Sequence, residues 1–295
     1  MTLVSKTFEL YGKTYTFESG ELAKQATGAC LVKQGDTTML DTVVVSKERK
    51  NYDFFPLTVD FNEKMYAAGR IPGSFFRREI ARPSERETLV SRLIDRPIRP
   101  SFPDGFRNEV HIVATSLVAD QVNPFDVINV MGASLAMTLG GVPFEGPLAC
   151  VRIGRNVETG EFIVNPTYEE RENSDLDLEL GGSADFISMV EAGAEEISED
   201  DMLAAMKFGQ EALAAFCQAQ DEFVAEWEQV NGAIVKKEYP LDQPVEEVQE
   251  RIFAHYDEMA AALRDADKLS RIGKVEALKE SIRAEFTEEE QAAWE

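Results

Sequence analysis

The stretch Asp126–Leu139, DVINVMGASLAMTL, is apolar almost all round and carries small Gly132, Ala133 and Ser134 near its centre. A helix with one apolar stripe can lie on a surface, but a helix that is apolar on every side must be enclosed. Its small residues suit close packing on a sheet, and the rest of the chain offers strands to build one. SKTFELYGKTYTFESG alternates apolar and polar residues on both sides of Gly12-Lys13, a hairpin pattern. Cys30–Lys33 and Thr38–Val45 form a second pair parted by QGD, and Pro56–Phe61 and Val110–Val118 read as two further strands. PLACVRIGRNVETGEFIVNPT turns near Thr159-Gly160, and GGSAD separates Leu176–Leu180 from Phe186–Glu191. Ser198-Glu-Asp-Asp201 caps a long helix whose Met202, Ala205, Met206, Leu213, Phe216 and Phe223 are spaced for a buried stripe. These segments predict an α+β fold with mixed sheets and packed helices.

The 295 residues suggest about two domains, and 44% hydrophobic content excludes wholesale disorder. A break at Val230–Pro244 places the boundary near Lys237: a mixed core domain over residues 1–236 and an all-α domain over 237–295. In the second, Ile252, Tyr256, Met259 and Leu263 fall on one apolar face. The final FTEEEQAAWE reads as helix without a terminator, the pattern of an interrupted product. No run approaches the ~18 apolar residues of a membrane span, and MTLVSKTFEL lacks a secretory signal. Cys30, Cys150 and Cys217 lie far apart, and with two histidines they show no metal-site spacing. The expected setting is a reducing cytoplasm.

Charge is distributed unevenly. Between Arg70 and Arg107 stand nine arginines, no lysine and five acids, a window of +4; the remaining 21 basic residues face 49 acids, which leaves -28 elsewhere. Such an exterior repels polyanions in general, so any phosphate contact must be local. Arginine grips phosphate with a planar fork, which suits that task. Pairing with neighbouring acids in a structural network is the competing reading.

Within the island, Ser84 and Glu87 form a capping-box pattern that starts a helix. Leu89 and Leu93 fall on one face, with Val90 and Ile94 beside them. Arg92, Arg96 and Arg99 stand at i, i+4 and i+7, so a continuous helix aligns three guanidinium groups. Pro97 distorts the end of that helix and leaves Arg99 the least secure member. Upstream, GRIPGSFFRRE presents Phe75 and Phe76 on a turn, followed at once by Arg77 and Arg78. Rings beside cations have the composition of a single-strand nucleic-acid platform. A loop whose phenylalanine plugs the core is the alternative.

PLTVDFNEKMYAAGRIPGSFFRRE, RPSERETLVSRLIDRPIRPSFPDGFRNEV, VNPFDVINVMGASLAMTL and GVPFEGPLACVRIG together resemble the N-terminal half of the polynucleotide phosphorylase family. The resemblance covers nearly the whole chain. It implies an RNase PH-like core domain over roughly the first 230 residues, followed by an all-helical domain. It also implies that Phe75, Phe76, Arg77 and Arg78 grip single-stranded RNA in the channel of a homotrimer, with Arg82, Arg92, Arg96 and Arg99 at further positions near RNA and phosphate. Glu79-Ile80-Ala81-Arg82 departs from the family pattern by one extra residue and a missing glycine.

Members of that family degrade RNA from its 3′ end with inorganic phosphate and Mg²⁺ or Mn²⁺, releasing nucleoside diphosphates; other RNA-degradation proteins are possible partners. Their catalytic groups belong mostly to a second core domain, so no catalytic or metal residue is expected in this chain. VADQVNPFDVINVMGAS lacks a Ser- or Gly-rich anion loop, and Asp120 and Asp126 read as turn residue and helix cap. His111 and His255 read as structural, and the cysteines as small core residues. Two expectations follow: this is the RNA-gripping, trimer-forming part of a phosphorolytic 3′-to-5′ exoribonuclease and is inactive alone, or it is a complete non-catalytic RNA-binding ring protein.

Overall fold

Tyr11 and Gly12 both hold left-handed backbone, at φ 50° and 72°. This two-residue geometry has the twist that paired strands need, so β1 (Val4–Leu10) turns directly into β2 (Lys13–Ser19), with Leu10 opposite Lys13. The computed structural model describes residues 1–49, 51–73 and 82–290. β3 (Gly28–Gln34) and β4 (Thr37–Arg49) form the second hairpin, turning at Gly35. β5 (Leu57–Asn62) and β6 (Asn108–Val118) complete a six-stranded sheet in the order β1-β2-β3-β4-β6-β5. Among the described residues, only β5 and β6 in this sheet pair parallel. Parallel neighbours need a long crossover, and theirs carries α1 (Glu85–Ile98).

α2 (Ile128–Leu139) follows β6, and eleven of its twelve residues are buried. It contacts β3 and β4 on one side and β7 (Ala149–Asn156) on the other. The sequence pattern predicts packing on a sheet, whereas the helix lies between two, which is why no side of it is polar. β7 belongs to a four-stranded antiparallel sheet, β10-β9-β7-β8, with β8 (Phe162–Val164), β9 (Ser174–Gly182) and β10 (Ile187–Ala194). α3 (Tyr168–Glu172) is a short helix whose Thr167–Glu170 capping box the sequence reading did not anticipate.

Ser198 caps α4 (Glu199–Asn231), as the sequence predicts. α4 runs against β7, β9 and β1, burying Leu213 and Trp227, and its Phe216 and Phe223 pack edge-on against Tyr15 and Phe17 of β2. Met202 and Met206 are only partly buried at its edge. Close approach is set by glycine: a Cβ on Gly209 would overlap Leu180, and one on Gly28 would overlap the carbonyl oxygen of Ala136 in α2. No helix among the described residues is long and apolar enough to cross a membrane.

The chain divides into two units, Met1–Leu241 and Asp242–Glu295. The first unit extends past Lys237. Tyr239 packs edge-on against Phe106, Leu241 bridges to Phe106, and the Lys237 amide donates to Gly141 at 2.8 Å. The second unit holds α5 (Glu246–Phe253), α6 (Tyr256–Leu263) and α7 (Lys268–Ala284). The chain breaks between α5 and α6, so the expected apolar face is split and Ile252, Tyr256 and Leu263 stay exposed. His255 sits at the N-cap of α6 rather than within a helix, 3.4 Å from Glu258 and 3.1 Å from Glu285.

Candidate nucleic-acid interface

The arginine helix is built as its capping pattern requires. Ser84 Oγ accepts from the Glu87 amide at 3.1 Å, and Glu87 Oε2 accepts from the Ser84 amide at 2.6 Å. Glu87 is buried, and its second oxygen accepts from the Glu63 amide at 3.1 Å, tying the start of α1 to the end of β5. Val90, Leu93, Ile94, Pro97 and Ile98 form the buried face. Leu89 instead points outward and is 57% exposed. Pro97 does not end the helix at the preceding residue. Helical backbone runs to Ile98 and tightens into a 3₁₀ turn over Arg99–Ser101, with Pro97 packed towards Gly181 of β9.

The three stripe arginines have different fates. Arg99 is held firmly, contrary to the expectation from Pro97. Its guanidinium donates twice to Asp95, at 3.0 and 2.6 Å, and to the carbonyls of Phe55 and Leu57 at 3.1 and 3.2 Å. Arg96 reaches across to β10, donating to Glu191 at 2.5 Å and to the Val190 carbonyl at 3.2 Å. Arg92 is exposed and makes no ion pair or hydrogen bond with its side chain among the described residues. The same holds for Arg82. Phe75, Phe76, Arg77 and Arg78 lie outside the described residues.

One island member was not singled out from sequence. The Arg86 guanidinium stacks over the Phe125 ring at 4.6 Å, donates to Tyr168 Oη at 3.2 Å and lies 3.6 Å from Glu63. Phe125 in turn stacks on Phe61 at 5.4 Å. Asn-Pro-Phe, in the segment that lacks an anion loop, therefore supplies a ring that seats a cation.

The two aspartates of that segment are committed elsewhere. Asp120 accepts from the Val122 and Asn123 amides at 2.8 Å and from Asn123 Nδ2 at 2.6 Å. Burial pushes its carboxyl up, but the hydrogen bonds from Asn123 and Val122 outweigh it and hold the carboxyl below the usual aspartate range. Asp126 lies ahead of α2 and faces Arg152, whose Nη1 donates to both its oxygens at 3.0 and 2.9 Å. It is a buried ion-pair partner rather than a cap. Arg152 also faces Asp177 at 2.8 Å and Glu179. His111 Nε2 lies 2.7 Å from Asp60. Burial raises the thiols of Cys30, Cys150 and Cys217, the last to about 12, which leaves them protonated and unreactive. No group of three or more His, Cys, Asp or Glu among the described residues could hold a metal ion. The committed aspartates do not fit a divalent cation.

Residues 12–143 match the model of the 3′ exoribonuclease family, domain 1, and residues 146–212 match domain 2 of the same family. The join falls between α2 and β7, where the chain leaves the first sheet for the second. The chain is similar to the polyribonucleotide nucleotidyltransferase of Heliobacterium modesticaldum, 45% identical over 288 residues, covering 96% of this chain and 40% of that protein. It is likewise similar to the proteins of that name from Oceanobacillus iheyensis and Bacillus cereus strain AH187. Each is 41% identical over 309 residues, covering 95% of this chain and 43% of theirs. The chain spans about two-fifths of the length of these relatives. With both domain models falling on its two sheets in order, the chain belongs to the 3′ exoribonuclease family and carries the RNase PH-like fold.

Proposed function

We propose that this chain is the RNA-holding, trimer-forming portion of a cytoplasmic polyribonucleotide nucleotidyltransferase that shortens RNA from its 3′ end. In that reaction an oxygen of inorganic phosphate attacks the terminal phosphodiester. The phosphorus–oxygen bond to the preceding 3′ oxygen breaks, a nucleoside diphosphate leaves, and the shortened strand keeps its 3′ hydroxyl. Mg²⁺ or Mn²⁺ and the attacking phosphate belong, in this reading, to a part of the enzyme other than the residues described. Phe75, Phe76, Arg77, Arg78 and Arg82 act as RNA contacts upstream of the helix. Other RNA-degradation proteins are further candidate partners.

The observation that carries this reading is the uneven commitment of the α1 arginines. Arg92 stands exposed with no carboxylate on it among the described residues, in a protein of net charge -24. Among the described residues Arg96 is held by an exposed pair with Glu191 and one bond to the Val190 carbonyl; such pairs contribute about 0–1 kcal/mol, so a phosphate can displace Glu191. Arg99 has four hydrogen bonds within the protein and serves mainly to fix the helix end.

Salt dependence tests this assignment. Each phosphate contact with a single strand contributes about 0.7 to the slope of log affinity against log salt. Arg92→Ala should weaken binding of a single-stranded oligonucleotide and flatten that slope by about one contact, and Arg77→Ala with Arg78→Ala by about two. Unchanged affinity and slope in both variants would rule the interface out.

A further inference from the structure

We propose that Tyr52 and Phe54 form a base-stacking step for single-stranded RNA at the C-terminal end of α1. The proposal rests on the RNA-holding reading above and extends it to a surface outside the arginine island. The two rings lie between β4 and β5, 5.1 Å apart between centroids and only 14° from parallel. Both are exposed, at 47% and 57%. Two large rings stacked on each other in water, rather than turned into the nearby core, present a flat apolar face that a planar ligand can extend.

The residues that follow them are anchored to the core. Phe55, the next residue, turns inward and packs on Phe102 at 4.6 Å and Phe106 at 5.5 Å. Arg99 lies 5.8 Å from the Phe55 ring and donates to the carbonyls on either side of Pro56. The loop that carries Tyr52 and Phe54 is thereby fastened to the end of the helix that displays Arg92 and Arg96. At 1.5 Å per residue, the fourteen residues of α1 span about 21 Å, a track long enough for several nucleotides.

Charge selects the occupant. Between Lys47 and Phe54 the chain carries Lys47, Arg49 and Lys50 against Glu48 and Asp53, a positive balance in a strongly acidic protein. Lys47 makes no ion pair among the described residues. Aromatic faces beside cations suit a base joined to a phosphate, whereas an apolar protein segment has no use for the cations.

The test uses the whole chain, a labelled oligoadenylate of about twelve nucleotides, and an abasic ribose-phosphate chain of the same length and charge. Y52A/F54A should bind oligoadenylate about tenfold more weakly and the abasic chain unchanged, with the same salt slope. Y52L/F54L, which keeps apolar bulk but removes both rings, should behave like the alanine pair. Y52F/F54Y should bind like the parent. Parent-like oligoadenylate binding by both ring-removing pairs, alongside weakening by R92A, overturns this step and leaves the RNA reading standing. Failure of the parent to bind either oligomer overturns both. Parent-like RNA binding with a changed mass in sedimentation assigns the rings to a contact between chains, which also overturns the proposal.

Discussion

Asp41 sits in the middle of β4, paired with Cys30 of β3 and Ala114 of β6, and is fully buried under α2. Neither carboxyl oxygen has a hydrogen-bond partner among the described residues, and Gly132 above it leaves no room for a Cβ. Burial alone pushes this carboxyl well above the usual aspartate range, and the Cys30 thiol beside it is raised too, first by burial and then by Asp41. Arg152 shows the opposite solution, a buried charge met by Asp126, Asp177 and Glu179. Because the folded protein keeps a proton on Asp41 that the unfolded chain releases, stability should decline as pH rises from the ordinary aspartate value towards the raised one. Asp41→Val fits a strand, has similar bulk and removes both orphaned oxygens, so it should stabilise the fold by about 1–3 kcal/mol at neutral pH. Thermal melts from about pH 5 to about pH 9 should show the variant's advantage widening with pH. A constant gap, or a less stable variant, would show that the carboxyl is satisfied.

At the scale of elements, local chemistry was readable and distant partners were not. The capping serines of α1 and α4 and the hairpin at Gly35 depend on residues within a few positions, and sequence inspection finds them. Thr167 and Glu170 signal α3 just as locally, but five residues between two strands are too few to show a helical period. The fate of the stripe was hidden for another reason. Glu191 lies 95 residues from Arg96, and Phe55 lies 44 from Arg99. Spacing gave the alignment of the guanidinium groups, and only the fold decides which of them remains free. The seating of α2 was half legible: small residues announced close packing, but not that Gly28 of β3 would be its counterpart. A methyl group on Gly28 would meet backbone, which cannot swing aside. Gly28→Ala should therefore lower stability by about 1–3 kcal/mol in urea titration, with an unchanged transition slope. A variant as stable as the parent would mean that α2 can lift from the sheet at no cost.

For the whole molecule, the deciding quantity is where the negative charge is placed. Residues 242–295 carry fifteen acids against seven basic residues, while the window from Arg70 to Arg107 is positive. Exposed charges act over about 8 Å at physiological ionic strength, so each region imposes its own field on a strand passing close by. The helical unit should repel RNA even though Phe253 and Tyr256 are exposed there and are ring systems available for stacking. This separates charge from aromaticity as the determinant of binding. Photocrosslinking of single-stranded RNA to the whole chain should label peptides spanning 47–56 and 82–99 and leave 242–290 unlabelled at physiological salt. Raising salt screens repulsion and attraction alike. Labelling of the positive window should then fade, and any labelling of the helical unit should rise towards the level its exposed rings support. Equal labelling of both regions at low salt would mean that exposed rings, rather than the placement of charge, choose the path of the strand.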